Sequence, residues 1–166
     1  MTLSASSWLV PERVDGDLAA ATTAVAEGTL FAFVDVLDRP AWQAETAAWQ
    51  AQPWLSGAVA FSGPAQGTLH VVLPAALARD LAGAMLGTEG DVPEPQLHDL
   101  VGEMANMICG GWLSARAPHV TFDLAAPSVQ RRPSLEGTVP AADHTAWLAI
   151  NGSPVAVTLA VTTPLG

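Results

Sequence analysis

Two hairpin patterns restrict the fold of this chain more than any other feature. In residues 145–162, an apolar run at 147–150 and the alternating residues Val155, Val157, Leu159 and Val161 lie on the two sides of Asn151-Gly152, the dipeptide favoured in two-residue type I′ turns. A second alternating pattern covers residues 56–73 and is interrupted at 63–67 by a loop containing glycine and proline. Both patterns predict antiparallel β-hairpins.

Three longer segments have the apolar spacing of amphipathic helices. They are residues 17–37, with Asp17 as the N-cap and Pro40 beyond the end, residues 74–87, with Gly87 as the C-cap, and residues 96–116. In the second helix the predicted apolar stripe consists of Leu77, Leu81, Ala84 and Met85. Hairpins clustered between long helices, without regular βαβ alternation, are typical of the α+β class. We therefore predict an antiparallel sheet with the three long helices packed on one face.

The length fits one domain over residues 1–166. Residues 120–124 predict a further strand, and Pro127-Ser128-Val129 follows it. Three tryptophans, at positions 42, 49 and 54, mark a segment with a short helical spacing. Such a spacing favours core packing, and docking of a partner stays open as the alternative.

Charge and targeting signals exclude several functions. Sixteen acidic residues stand against six arginines and no lysine, which gives a formal net charge of −10. Nucleic acids and anionic membrane surfaces need clustered positive charge, so neither is expected as a partner. The most apolar stretch, Leu18 to Leu37, contains Glu27 and Asp35, whose burial in lipid costs several kcal/mol. Since no signal peptide precedes it, we expect a cytoplasmic protein.

Motifs for metal or nucleophilic chemistry are missing from the sequence. The four histidines match no zinc spacing, and the single cysteine, Cys109, has no second cysteine to pair with. Neither a phosphate-binding loop nor a nucleophile elbow is present. No metal site and no cofactor of its own are expected.

The third helix carries the one pattern that indicates chemistry. At about 100° per residue, Asp99, Glu103, Asn106 and Gly110 lie within about 60° of one another. The opposite side is apolar, and we expect its Met104, Met107 and Ile108 to be buried.

This polar stripe has two interpretations. It is either an ordinary solvated face or a surface that a partner approaches. The second is favoured by Asn106, a mediocre residue for a helix interior, and by Gly102 and Gly110, each of which weakens a helix by about 1 kcal/mol relative to alanine. The two glycines would keep the helix surface flat for close approach.

The run Asp99-x-x-Gly102-Glu103-Met104-x-Asn106-Met107-Ile108-x-Gly110 resembles the signature helix of the CheC/CheX phosphatases of bacterial chemotaxis. The hairpin from Gly57 to Gly67, the helix ending at Gly87 and the Pro127-Ser128-Val129 segment are similar to the same family, so the resemblance is strongest over residues 56–162. Asn106 and Asn151 are the only asparagines, and no glutamate stands three residues before Asn151. The resembled family has members with two such helices and members with one. Only one is present here, which resembles the CheX branch.

The resemblance implies a function for each stripe residue. The substrate would be the aspartyl phosphate of a CheY-like response-regulator receiver domain. Asn106 would orient the attacking water and Glu103 would pair with a cation in the receiver's active site, which also holds the Mg²⁺. Asp99, Gly102 and Gly110 would contact the receiver.

A homodimer, joined through sheet edges, is also implied by the resemblance. A docking module that binds the receiver without catalysis is the principal alternative. A purely structural sheet protein, with the polar stripe covered, is the second.

Overall fold

The computed structural model describes residues 11–88 and 90–164. The helices are α1 (Pro11–Gly28), α2 (Arg39–Thr46), α3 (Ala75–Leu86) and α4 (Glu94–Arg116), and a 3₁₀ turn covers Ala47–Trp49. The strands are β1 (Val34–Leu37), β2 (Trp54–Ser62), β3 (Ala65–Pro74), β4 (Asp123–Leu124), β5 (Ser128–Arg132), β6 (His144–Ile150) and β7 (Ser153–Pro164).

All seven strands form one antiparallel sheet in the order β1-β6-β7-β3-β2, with β4 and β5 both paired to the outer edge of β2. The predicted β6–β7 hairpin is confirmed, and Asn151 and Gly152 adopt φ values of 50° and 80° at its turn. The β2–β3 hairpin is confirmed with a tighter turn, because β3 already begins at Ala65.

The long helices α1, α3 and α4 pack on one face of the sheet and share its main hydrophobic core, as the α+β prediction required. The tryptophan-rich segment lies on the opposite face. There Trp42 packs at 4.8 Å from Trp147 and 6.2 Å from Trp54, measured between ring centroids. Its indole Nε1 donates to the Val155 carbonyl at 3.0 Å. The segment therefore closes a second, smaller core, as core packing predicted.

The prediction of a helix over residues 17–37 is wrong at both ends. The helix begins at Pro11, so Asp17 lies within it and is not its N-cap. The helix ends at Gly28, and Phe31 then takes a positive φ of 52° that reverses the chain. Residues 34–37 form the edge strand β1 instead, paired with β6. Asn151 fixes this register, because its Oδ1 accepts from the Phe33 amide at 2.9 Å and its own amide donates to the Phe33 carbonyl at 2.8 Å. Pairing with a distant strand thus overrides the local helical period.

Two smaller predictions also change. The strand predicted over 120–124 is reduced to Asp123–Leu124, which pairs with the end of β2. In α3, Leu77 and Leu81 are buried as predicted, but Ala84 and Met85 are exposed. The last turn of α3 extends beyond the sheet and the core, so the apolar stripe continues into a surface groove.

Candidate functional site

Helix α4 carries the predicted site and is held against the sheet along its length. Gly57 of β2 allows this close contact, because a Cβ at that position would lie 2.9 Å from Cγ1 of Val101. Met104 and Ile108 are buried as expected, whereas Met107 is only half-buried and lines a groove. The apolar side of α4 thus fixes which residues face outward.

Ion pairs tie both ends of α4 to other elements. Near the N-terminus, Arg131 of β5 donates to Glu94 at 2.8 Å, and His98 lies 3.2 Å from the same carboxylate. Slight burial alone would raise the pKa of Glu94, but the hydrogen bonds from Arg131 and His98 outweigh it and hold the pKa below its ordinary value. At the C-terminus, Arg116 pairs with Asp17 of α1 at 2.6 Å. The two ends of the helix are thus linked to β5 and to α1.

The predicted stripe lies on the outer side of this anchored helix. Asp99 and Glu103 are exposed, and Asn106 and Gly110 are half-buried. Within residues 11–88 and 90–164, no group hydrogen-bonds or forms an ion pair with the side chains of Asp99, Glu103 or Asn106. A carboxylate and an amide three residues apart are therefore available to an external partner. The interpretation as a purely structural protein with a covered stripe is wrong.

Glu103 and Asp99 form a ridge between two clefts. On one side lies an apolar groove of about 480 Å³ between the end of α1, the last turn of α3 and α4. On the other side lies a more polar cleft of about 460 Å³, bounded by Pro127 and Val129 of the β4–β5 segment. Both carboxylates line both clefts, so they stand at the centre of this surface.

The two glycines do not both leave the surface open. Gly102 is buried, and a Cβ there would lie 3.2 Å from Cγ of Pro127. Pro127 thus makes the close approach that we assigned to a partner at Gly102. Gly102 still lines the polar cleft, and its contact with a receiver stays a prediction. Gly110 is half-buried beside Leu124, and its contact with a partner stays a prediction.

Other reactive side chains contribute nothing to this surface. Cys109 is buried, and burial raises the pKa of its thiol to about 12, so a nucleophilic thiolate is not formed near neutral pH. Within the described parts of the chain, no group of three or more His, Cys, Asp or Glu side chains could hold a metal ion. No helix among the same residues is long and apolar enough to span a membrane.

Sequence reasoning missed the apolar groove. Its lining includes Leu30, which lies within the segment predicted as the first helix, and Met85 and Leu86, which form the exposed end of α3. The only sequence signal was the position of these two residues immediately before the Gly87 cap. At the end of a helix, neighbouring elements no longer bury the apolar residues.

Comparison with known proteins agrees with this architecture. CheX from Vibrio vulnificus superposes with a TM-score of 0.68 at 17% identity, over 90% of this chain and 96% of the other. CheX from Desulfovibrio desulfuricans gives 0.61 at 22% identity, over 90% and 99%. The Borrelia burgdorferi structure, a complex of CheX with CheY, BeF3 and Mg²⁺, gives 0.59 at 14% identity, over 89% and 97%.

Among curated proteins, no relative matches the sequence. The family described as chemotaxis phosphatase CheX matches residues 55–151, a range that contains all but the first residue of the β2–β3 hairpin, together with α3, α4 and β6. Because this match covers more than half of the chain and includes the helix with Glu103 and Asn106, the chain belongs to the CheX family.

Proposed function

We propose that this protein hydrolyses the aspartyl phosphate of a CheY-like receiver domain, with Glu103 and Asn106 as the catalytic residues. The observation that carries the proposal is the pair itself. Both side chains lie on the outer side of a helix that is anchored at each end, and neither is engaged by a described residue. Membership of a family described as a chemotaxis phosphatase supports the same conclusion.

Asn106 has the hydrogen-bonding groups that the reaction needs. Hydrolysis of an acyl phosphate requires a water in line with the phosphorus–oxygen bond that breaks, and the protein contributes mainly positioning. The amide offers an acceptor for a water proton and two donors for phosphoryl oxygens. It does so without a change of charge.

Glu103 would hold the two proteins in register. Its carboxylate is one helical turn from Asn106 and can pair with a cation at the receiver's active site. The Mg²⁺ belongs to the receiver in this proposal, and this chain supplies none of its ligands. Asp99 lies one turn further and would contribute a charge at the rim of the interface. The Borrelia burgdorferi complex of CheX with CheY and Mg²⁺ supports a partner of this class.

The proposed active form is a homodimer in the cytoplasm, where receiver domains are found. The edge strand β1 supports a dimer joined through sheet edges, because Phe31, Phe33 and Val36 are exposed beside its unpaired backbone. Light scattering at micromolar concentration would give twice the chain mass of 17.1 kDa. A monomer would remove the dimer from the proposal and leave the catalytic assignment intact.

The decisive experiment measures the decay of radiolabelled phosphoreceiver with and without the protein, for each receiver encoded in the same genome. Faster decay with at least one receiver is expected. If a receiver binds but its phosphate decays at the spontaneous rate, the protein is a docking module that uses the same helix. If no receiver binds or decays faster, the proposed function is wrong.

A further inference from the structure

The groove beside Glu103 is an exposed apolar surface that the catalytic pair does not account for. Met85 and Leu86, in the last turn of α3, have 56% and 55% of their surface exposed. They form one wall, and the other apolar lining residues are Leu30, Ala82, Leu100 and Met107. Methionine side chains at such positions adapt to a bound apolar group. The groove of about 480 Å³ has room for one large side chain with its backbone.

The rim of this groove is negative. Asp99 and Glu103 stand four residues apart on α4, an arrangement of like charges that is unfavourable in a helix. No arginine or histidine is among the residues that line the groove. A fitting occupant therefore presents an apolar side chain with a lysine or arginine next to it.

The groove also lies within reach of any protein bound at Asn106. Met107, which lines it, is the next residue along α4, and seven helical steps from Asp99 to Asn106 span about 10 Å. An ordinary interface covers about 800 Å² on each partner, a patch with a radius of about 16 Å. An interface of this size with the phosphoryl group at Asn106 is therefore wide enough to cover the groove as well.

We infer that the groove receives an apolar side chain of the phosphorylated receiver, and that a basic residue beside it pairs with Asp99. This inference rests on the proposed function and names the part of the surface that selects the receiver. The net charge of −10 strengthens it, since an acidic chain without lysine has few cations of its own to offer across an interface. Recognition of the receiver then depends on its apolar side chain in the groove and on the ion pair between its basic residue and Asp99.

The test compares two variants of the same helix turn. Met85→Gln with Leu86→Gln removes the apolar wall without adding charge. Ala84→Gln places the same side chain at an exposed position that does not line the groove. For phosphoreceiver decay, we expect the double variant to raise the half-saturating protein concentration by about 10-fold or more, as loss of an anchor does. The maximal rate should change far less, and the Ala84→Gln control should match wild type.

Asp99→Asn tests the charged part in the same assay. It should raise the half-saturating concentration and make it less dependent on salt, whereas Glu45→Gln on the opposite face of the sheet should do neither. If wild type accelerates decay and both groove variants behave as their controls, the groove inference is overturned and the proposed function stands. If wild type is inactive with every receiver, the proposed function fails first. If the double variant instead splits a dimer in light scattering, the groove holds a second copy of this chain.

Discussion

The ring of Pro127 lies directly against Gly102 at the middle of α4. A Cβ at position 102 would lie 3.2 Å from Cγ and 3.3 Å from Cβ of this ring, and 3.6 Å from Cγ2 of Val129. Glycine at this position therefore allows the β4–β5 segment to pack on the helix and to form one wall of the polar cleft beside Glu103.

A larger side chain at position 102 should displace this wall. We expect Gly102→Leu to lower the free energy of unfolding by about 1 to 3 kcal/mol through overpacking. Gly111→Ala is the matched control on the same helix, because nothing lies within 4 Å of a Cβ there. It should raise stability by about 0.5 to 1 kcal/mol. Urea denaturation measures both, and equal effects of the two variants would contradict the packing.

Asn106→Ala should separate catalysis from folding. Removal of the amide should slow phosphoreceiver decay at saturating protein by about 100-fold or more, the size found for other positioning groups. Thermal stability should hold or rise slightly, since alanine is the better helix former. Ser114→Ala, an exposed position on the same helix, is the control and should leave the decay rate unchanged. An Asn106→Ala variant with full activity would show that the amide does not orient the water.

Glu103→Ala should impair binding of the receiver, which Asn106→Ala is not expected to do. The carboxylate is assigned to a contact with the receiver, so its loss should weaken binding of the receiver as well as turnover. Decay rates measured over a range of protein concentrations separate the two effects. Glu45→Gln, on the other side of the sheet, controls for the loss of one negative charge. A Glu103→Ala variant with unchanged half-saturation would show that the carboxylate makes no such contact.

Trp42 should matter for stability and not for the reaction. Trp42→Phe removes the indole donor to the Val155 carbonyl and shrinks a ring that packs against Trp54 and Trp147. We expect a loss of about 1 to 3 kcal/mol in unfolding free energy. The decay rate with folded protein should equal that of wild type. Loss of receiver binding without loss of stability would instead make this segment a docking surface.

His70 should make stability depend on pH. Burial lowers the pKa of this half-buried side chain below 6.5, so the unfolded chain binds a proton more readily than the folded protein. Protonation therefore favours unfolding. The loss in the free energy of unfolding that this causes is absent well above pH 6.5 and grows as the pH falls below that value. Urea denaturation at about pH 7.5 and pH 5.5 should show that acidification destabilises wild type more than His70→Gln. The same difference between the two proteins at both pH values would refute the assignment.

Local sequence determined the parts of this protein that depend on near neighbours. The Asn151-Gly152 turn, the apolar patterns of both hairpins and the Gly87 cap each involve residues only a few positions apart, so the sequence could predict them. The same holds for α4, where the apolar side determines by helical geometry that Asp99, Glu103 and Asn106 face outward. The outward position of Glu103 and Asn106 was therefore predicted from one helix, whereas their catalytic roles are what the family resemblance implies.

Tertiary structure alone decided the features that need partners far along the chain. Residues 34–37 became a strand because Phe33 meets Asn151, 118 positions away, and this pairing outweighed a helical period. Pro127 fills the space over Gly102, although the helix pattern cannot indicate which segment approaches it. Met85 is exposed because α3 extends past the sheet. Helical and strand periods describe one element at a time, whereas grooves and covered surfaces arise from the relative positions of several.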